Sequence, residues 1–230
     1  MLGKNVKNTI VQWLLSTVAP HPCSGCGKIG AILCEDCKYD IVNESFDGCV
    51  MCGVVQPRGI CAVHTAPFER IFVGGRRQGP LKEAIDRLKF QQTKAAATVL
   101  GDILAHRLPL LPVDTTVVPL PTVRSHVRQR GYDQALLIAR QVAYRKGLPF
   151  SPLLARKTSD TQHTVGRERR KEQAGKAFTV RQGAPVGNGR LVLLVDDIYT
   201  TGATVASAAW VLRRAGYVVW VAVVACQVNE

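Results

Sequence analysis

Beyond Phe68, short β-branched or aliphatic runs alternate with stretches whose apolar positions recur at helical spacing. The pattern predicts strands at Ile71–Gly74 and Thr115–Pro119, and helices at Pro80–Lys89, Lys94–Arg107 and Gly131–Lys146. A buried strand follows at Arg190–Val195, then a helix at Val205–Arg214 stopped by Gly216, and a last strand at Tyr217–Cys226. The unbroken aliphatic run at 191–195 is what a strand covered on both faces requires. Between these elements, Arg156–Gln173 is polar and without period, which predicts a long loop leading into a helix. Strands alternating with helices predict an α/β fold, a central parallel sheet flanked by helices. Ligands of such sheets sit beyond the carboxyl ends of the strands.

The first third of the chain has another character. Val6, Ile10, Trp13, Leu14 and Val18 predict a short amphipathic helix over 4–18, ended by Pro20 and Pro22. Residues 23–64 are rich in cysteine and glycine and hold little that could build an apolar core, so the segment is expected to lean on metal. Three parts result: 1–22, a helix and linker; 23–66, a cysteine module; and 67–230, the α/β domain.

Seven of the eight cysteines lie between Cys23 and Cys61, mostly as C-x-x-C pairs, which in a reducing compartment points to metal rather than disulfides. Cys23, Cys26, Cys34 and Cys37 form one set of four thiolates; Cys49, Cys52, Cys61 and His64 form a second. Each x-x spacing makes a tight knuckle, and two knuckles complete a tetrahedral zinc site. Sequential ribbons and a cross-braced arrangement both fit the spacing, and with His64 as a surface histidine only one ion would bind. Either way the zinc is structural, because four protein ligands leave no position for substrate. Cys226, in an apolar strand, reads as a buried structural thiol.

Composition narrows the class. Hydrophobic residues make up 47% of the 230, ample for a core. No apolar run reaches the roughly 18 residues of a membrane span, and no signal-peptide core is evident, so a cytoplasmic protein is expected. The net charge of +13 is uneven: Arg124–Arg181 carries fourteen Lys/Arg against four Asp/Glu, a net of +10. Such a cationic field suits an anionic ligand, a nucleic acid or both, the alternative being a solvated basic face.

The chemistry is most legible at Leu191-Val-Leu-Leu-Val-Asp-Asp-Ile-Tyr-Thr-Thr-Gly-Ala-Thr204. Asp196 and Asp197 can accept hydrogen bonds from a vicinal diol. Thr200, Thr201, Gly202, Ala203 and Thr204 can offer backbone N–H groups and hydroxyls to a phosphate at a helix N-terminus. The run closely resembles the signature by which type I phosphoribosyltransferases bind phosphoribosyl diphosphate (PRPP). Val118-Pro-Leu-Pro121 with Thr122, Val123 and Arg124 stands where that family's first phosphate loop follows an earlier strand.

A double zinc ribbon before this loop resembles the ComF family of competence-associated proteins, including its GntX-type homologues. Leu88-Lys89-Phe90, Arg130-Gly-Tyr-Asp-Gln-Ala135, and Thr161-Gln162 with Arg167, Arg170 and Ala177-Phe178 resemble further family segments, with Asp133 where Asn is usual. The resemblance implies a type I phosphoribosyltransferase fold, PRPP with Mg²⁺, and a cytoplasmic role in natural transformation. It further implies contact with incoming single-stranded DNA and with competence machinery such as a helicase. Asp196 and Asp197 would then be the catalytic acids, and Arg124, Arg156, Lys157, Arg167 and Arg170 would be available to the diphosphate. Whether turnover occurs stays open, as do two alternatives: a base-salvage phosphoribosyltransferase and a non-catalytic PRPP sensor.

Overall fold

The computed structural model describes residues 21–44, 46–157 and 177–227. The expected helix over 4–18, Thr161, Gln162, Arg167 and Arg170 lie outside them. In chain order the elements are α1 (Glu35–Asn43), β1 (Arg70–Arg76), α2 (Gly79–Phe90), α3 (Ala95–Arg107), β2 (Thr116–Pro119), α4 (Arg124–Arg130) and α5 (Gln134–Lys146). Then come β3 (Leu154–Arg156), β4 (Phe178–Val180), β5 (Leu191–Tyr199), α6 (Ala203–Arg214) and β6 (Val218–Cys226).

Four strands form the expected parallel sheet, in the order β1-β6-β5-β2. Its centre is β5 and β6, the two most continuously apolar segments, because strands covered on both faces have no polar side to show. One face is covered by α2, α3 and α5, whose Leu88, Leu100 and Ile138 share a core with Val117, Leu193 and Ala222. The other is covered by α6 and the β3–β4 pair, whose Leu212, Leu154 and Phe178 pack with Val118, Val192 and Val221. Helices on both faces are therefore as expected.

The differences have physical causes. β5 runs on to Tyr199, so Asp196 and Asp197 are strand residues rather than turn residues; pairing with β6 continues through Asp196↔Val223 and Tyr199↔Cys226. The helix expected from Gly131 begins at Gln134, because Gly131 adopts φ 78° to end α4, and Asp133 caps α5 by accepting from the Leu136 N–H. Arg156, expected in the long loop, stands in β3, which pairs antiparallel with β4.

The apolar residues of the cysteine module form no core of their own among the described residues but join those of the α/β domain. Ile32, Leu33 and Ile41 are buried with the α2–α3 face, and Phe46 and Val50 with the opposite one. The Arg87 guanidinium donates to the Pro22 carbonyl at 2.5 Å, and Arg107 pairs with Asp47 at 2.5 Å. The Ile71 N–H donates to the Arg58 carbonyl (3.0 Å), laying the second ribbon along the open side of β1. Among the described residues no helix is long and apolar enough to cross a membrane.

Candidate functional site

β2 and β5 are neighbours, registered from Thr116↔Val192 to Pro119↔Val195, yet the chain leaving β2 passes through the exposed α4 to α5 on one face, while β5 leads into α6 on the other. Chains diverging from adjacent parallel strands leave a crevice at the carboxyl ends, the usual ligand position in open α/β sheets. A separate cleft of about 470 Å³, lined by Lys38, Tyr39, Asp102 and Arg145, opens between α1 and the last turns of α3 and α5 and includes none of the predicted site residues.

One wall of the crevice is the loop after β2. The Leu120 N–H bonds back to Val195 (2.8 Å). Asp133 holds Thr122 twice, through its hydroxyl (2.9 Å) and its N–H (3.2 Å), while also capping α5. Asp133 thus organises the first loop, a role its sequence did not reveal.

The other wall is the turn from β5 into α6. Gly202 adopts φ 73°, and a Cβ there would stand 2.1 Å from the Tyr199 hydroxyl oxygen, so both the conformation and the space demand glycine. Burial beneath this turn pushes Tyr199 up to about 12. Thr200, Thr201, Ala203 and Thr204 are exposed, and α6 has no side-chain cap. The Ala203 N–H donates to the Thr201 hydroxyl at 3.5 Å, and the start of such a helix is a place where backbone N–H groups can take an anion.

The two acids separate at the strand end, because successive strand residues point to opposite faces. Asp197 is buried at 5% exposure, with the Lys89 ammonium of α2 only 2.9 Å from Oδ2. Asp196 is half-buried and accepts from the Asp197 N–H at 2.8 Å. Burial and the neighbouring Asp197 charge push Asp196 well above the usual carboxylate range, with Lys89 pulling the other way. Burial draws Arg156 of β3 down, opposed by the attraction of the Asp196 charge. Its guanidinium also lies over the Phe178 ring at 5.1 Å. Of the other predicted cations, Arg124 and Lys157 are exposed at the start of α4 and the end of β3. Sequence reasoning did not place Lys89 in the site; similarity at Leu88-Lys89-Phe90 marked the position without naming its partner.

The metal ligands assemble as two separate sets, Cys23/Cys26/Cys34/Cys37 and Cys49/Cys52/Cys61/His64, each with its ligand atoms within 4.8 Å of one another. This is the sequential arrangement. Thiolates about 2.3 Å from a tetrahedral zinc stand about 3.8 Å apart. Here Cys26 and Cys34 are separated by 3.6 Å, Cys52 and Cys61 by 3.8 Å, and His64 Nδ1 lies 3.2 Å from Cys61. The Cys34 thiol, with burial and the other two sulfurs, pushes Cys37 up to about 12, so four thiolates need a cation among them. Each set could hold one zinc ion.

No family model matches the chain. Competence protein F of Haemophilus influenzae is 28% identical over 197 residues, covering 80% of this chain and 85% of that protein. DNA utilization protein YhgH of Escherichia coli K12 is 29% identical over 202 residues, covering 84% and 83%. The resemblance to ComF-type proteins read from the motifs therefore extends along most of the chain. Among solved structures, adenine phosphoribosyltransferase of Leishmania tarentolae matches 63% of this chain and 78% of its own, at a TM-score of 0.37 and 17% identity.

Two outcomes are expected. Elemental analysis should find two zinc equivalents per chain, one for each ligand set, with Cys37→Ser losing one of them and lowering Tm. Asp196 has a folded pKa raised above its unfolded value, so its contribution to stability is present below about pH 3.9 and lost as pH rises through the folded value. Asp196→Asn should accordingly raise Tm at neutral pH, with the gain shrinking towards acid; an equal gain at every pH would contradict the assignment.

Proposed function

We propose that this chain is a ComF-type PRPP-binding protein working in the cytoplasm on the handling of incoming single-stranded DNA. The observation that carries the reading is the coincidence of two things. A switch-point crevice is bounded by an acidic strand end and an uncapped, glycine-turned helix start. The relatives that span most of the chain are named for competence and DNA utilization.

In this reading residues 200–204 hold the 5′-phosphate at the start of α6. Asp196, with Asp197 behind it, accepts from the ribose hydroxyls. Arg156, which feels the Asp196 charge, supplies positive charge for the diphosphate together with the exposed Lys157 and Arg124. Mg²⁺ accompanying PRPP would neutralise diphosphate charge, and Asp196, the more exposed of the two acids, is the carboxylate that would meet it. For transfer, a nitrogen nucleophile forms the bond to the anomeric carbon as the C–O bond to diphosphate breaks and diphosphate leaves with the electron pair. The protein's part is to position the reactants and stabilise charge.

The DNA side of the reading is supported by α4, which begins right after the first loop. Arg124 and Arg128 are exposed, and neither has a carboxylate within 4 Å among the described residues. Arginines outside internal ion pairs are available to phosphates. Competence machinery such as a helicase would meet the same DNA.

Calorimetric titration of PRPP with Mg²⁺ should give saturable binding that weakens at least about tenfold, or about 1.4 kcal/mol, in Asp196→Asn; no binding by zinc-loaded wild type would sink the reading. For single-stranded DNA, Arg124→Ala/Arg128→Ala should reduce the slope of log K against log salt by about 0.7 per arginine. An unchanged slope would remove α4 from the DNA contact.

A further inference from the structure

The last turn of α2 reaches both walls of the crevice. On the β5 side, Lys89 Nζ stands 2.9 Å from Asp197 Oδ2, with side-chain exposures of 15% and 7%. Oδ2 has no hydrogen-bond donor in good alignment, so the contact is one of charge rather than direction. On the β2 side, the carbonyl of the preceding residue, Leu88, accepts from the hydroxyl of buried Tyr132. Tyr132 is followed by Asp133, which grips Thr122 in the first loop. One helical turn is thereby joined to both ligand loops.

A carboxylate as buried as Asp197 is costly unless a cation compensates it, and Lys89 is that cation. The charged groups around the acidic pair are Lys89 from α2 and Arg156 from β3, and the acids themselves are adjacent on β5. Without Lys89 the two neighbouring carboxyls would compete for one negative charge, as close carboxyl pairs do. Asp196, the more exposed member, would then meet a ligand less readily as an anion.

We infer that Lys89 is the positioning residue of the crevice: it keeps Asp197 as a buried supporting anion, leaves Asp196 as the acid that meets the sugar, and with the Leu88–Tyr132 bond fixes the spacing of the two loops. The inference rests on the reading of the crevice as a PRPP site. It gives the chain's Leu88-Lys89-Phe90 and Arg130–Ala135 segments a joint purpose that neither has alone.

The test titrates PRPP with Mg²⁺ from pH 6 to 9 into wild type, K89M, K89R and K89M/D197N, with Tm measured for each. Removal of Lys89 is expected to lower Tm, weaken PRPP at least tenfold and move the midpoint of the pH profile upward by a unit or more. Arginine should restore most of both. The double variant should regain Tm and recover most of the affinity lost in K89M, because a neutral amide at position 197 no longer competes with Asp196. Wild-type affinity and an unshifted profile in K89M would overturn the inference, and so would a stable double variant that binds no PRPP. Failure of the PRPP reading itself is recognised separately, as absence of binding by the wild type.

Discussion

Parallel pairing of β2 with β5 is the contact on which the rest depends. Four residues of register, Thr116–Pro119 against Val192–Val195, bring together two chain ends that then part to opposite faces. Chains that part in this way from adjacent parallel strands leave a crevice between them, because backbone cannot follow both directions and still fill the space. Everything polar in the candidate site stands on one of the diverging ends or on a segment braced against them. The aliphatic run of β5 thus shapes the site without touching a ligand, by fixing where the divergence begins.

Charge in the crevice is arranged in depth. Asp197 and Lys89 form the lower layer, nearly closed to water, while Asp196 and Arg156 lie closer to solvent. Neither member of the lower layer can lose its charge alone without cost, whereas the upper layer is incomplete alone and gains from a partner. Tyr199 plays the corresponding part under the α6 turn, occupying the volume that a side chain at position 202 would need.

Much of this was legible in the sequence because it arises from local pattern. The β5 run, the acids after it, the glycine turn and the cysteine spacings each state their own structure. The remainder depends on contacts between distant residues. Lys89 reads as a surface cation at the end of an amphipathic helix until its partner 108 positions away is known. Asp133 reads as a departure from a family pattern, yet it both caps α5 and holds Thr122. The β3–β4 pair is three residues a side, too short for periodicity to announce, and its partners are brought together only by the face they cover. The apolar residues of the cysteine module were too scattered to form a core of their own, and they are buried by joining the two that the α/β domain already has.

The path of the second ribbon has a consequence for how the chain keeps to itself in solution. β1 is the outermost strand on its side of the sheet, and an uncovered outer strand is a template for any other extended chain. The segment around Arg58 supplies the Ile71 N–H with an acceptor, and the knuckles hold that segment in place. The ion of this ribbon would thus also guard the sheet edge: a chain that surrendered it would loosen the segment that covers the backbone of β1.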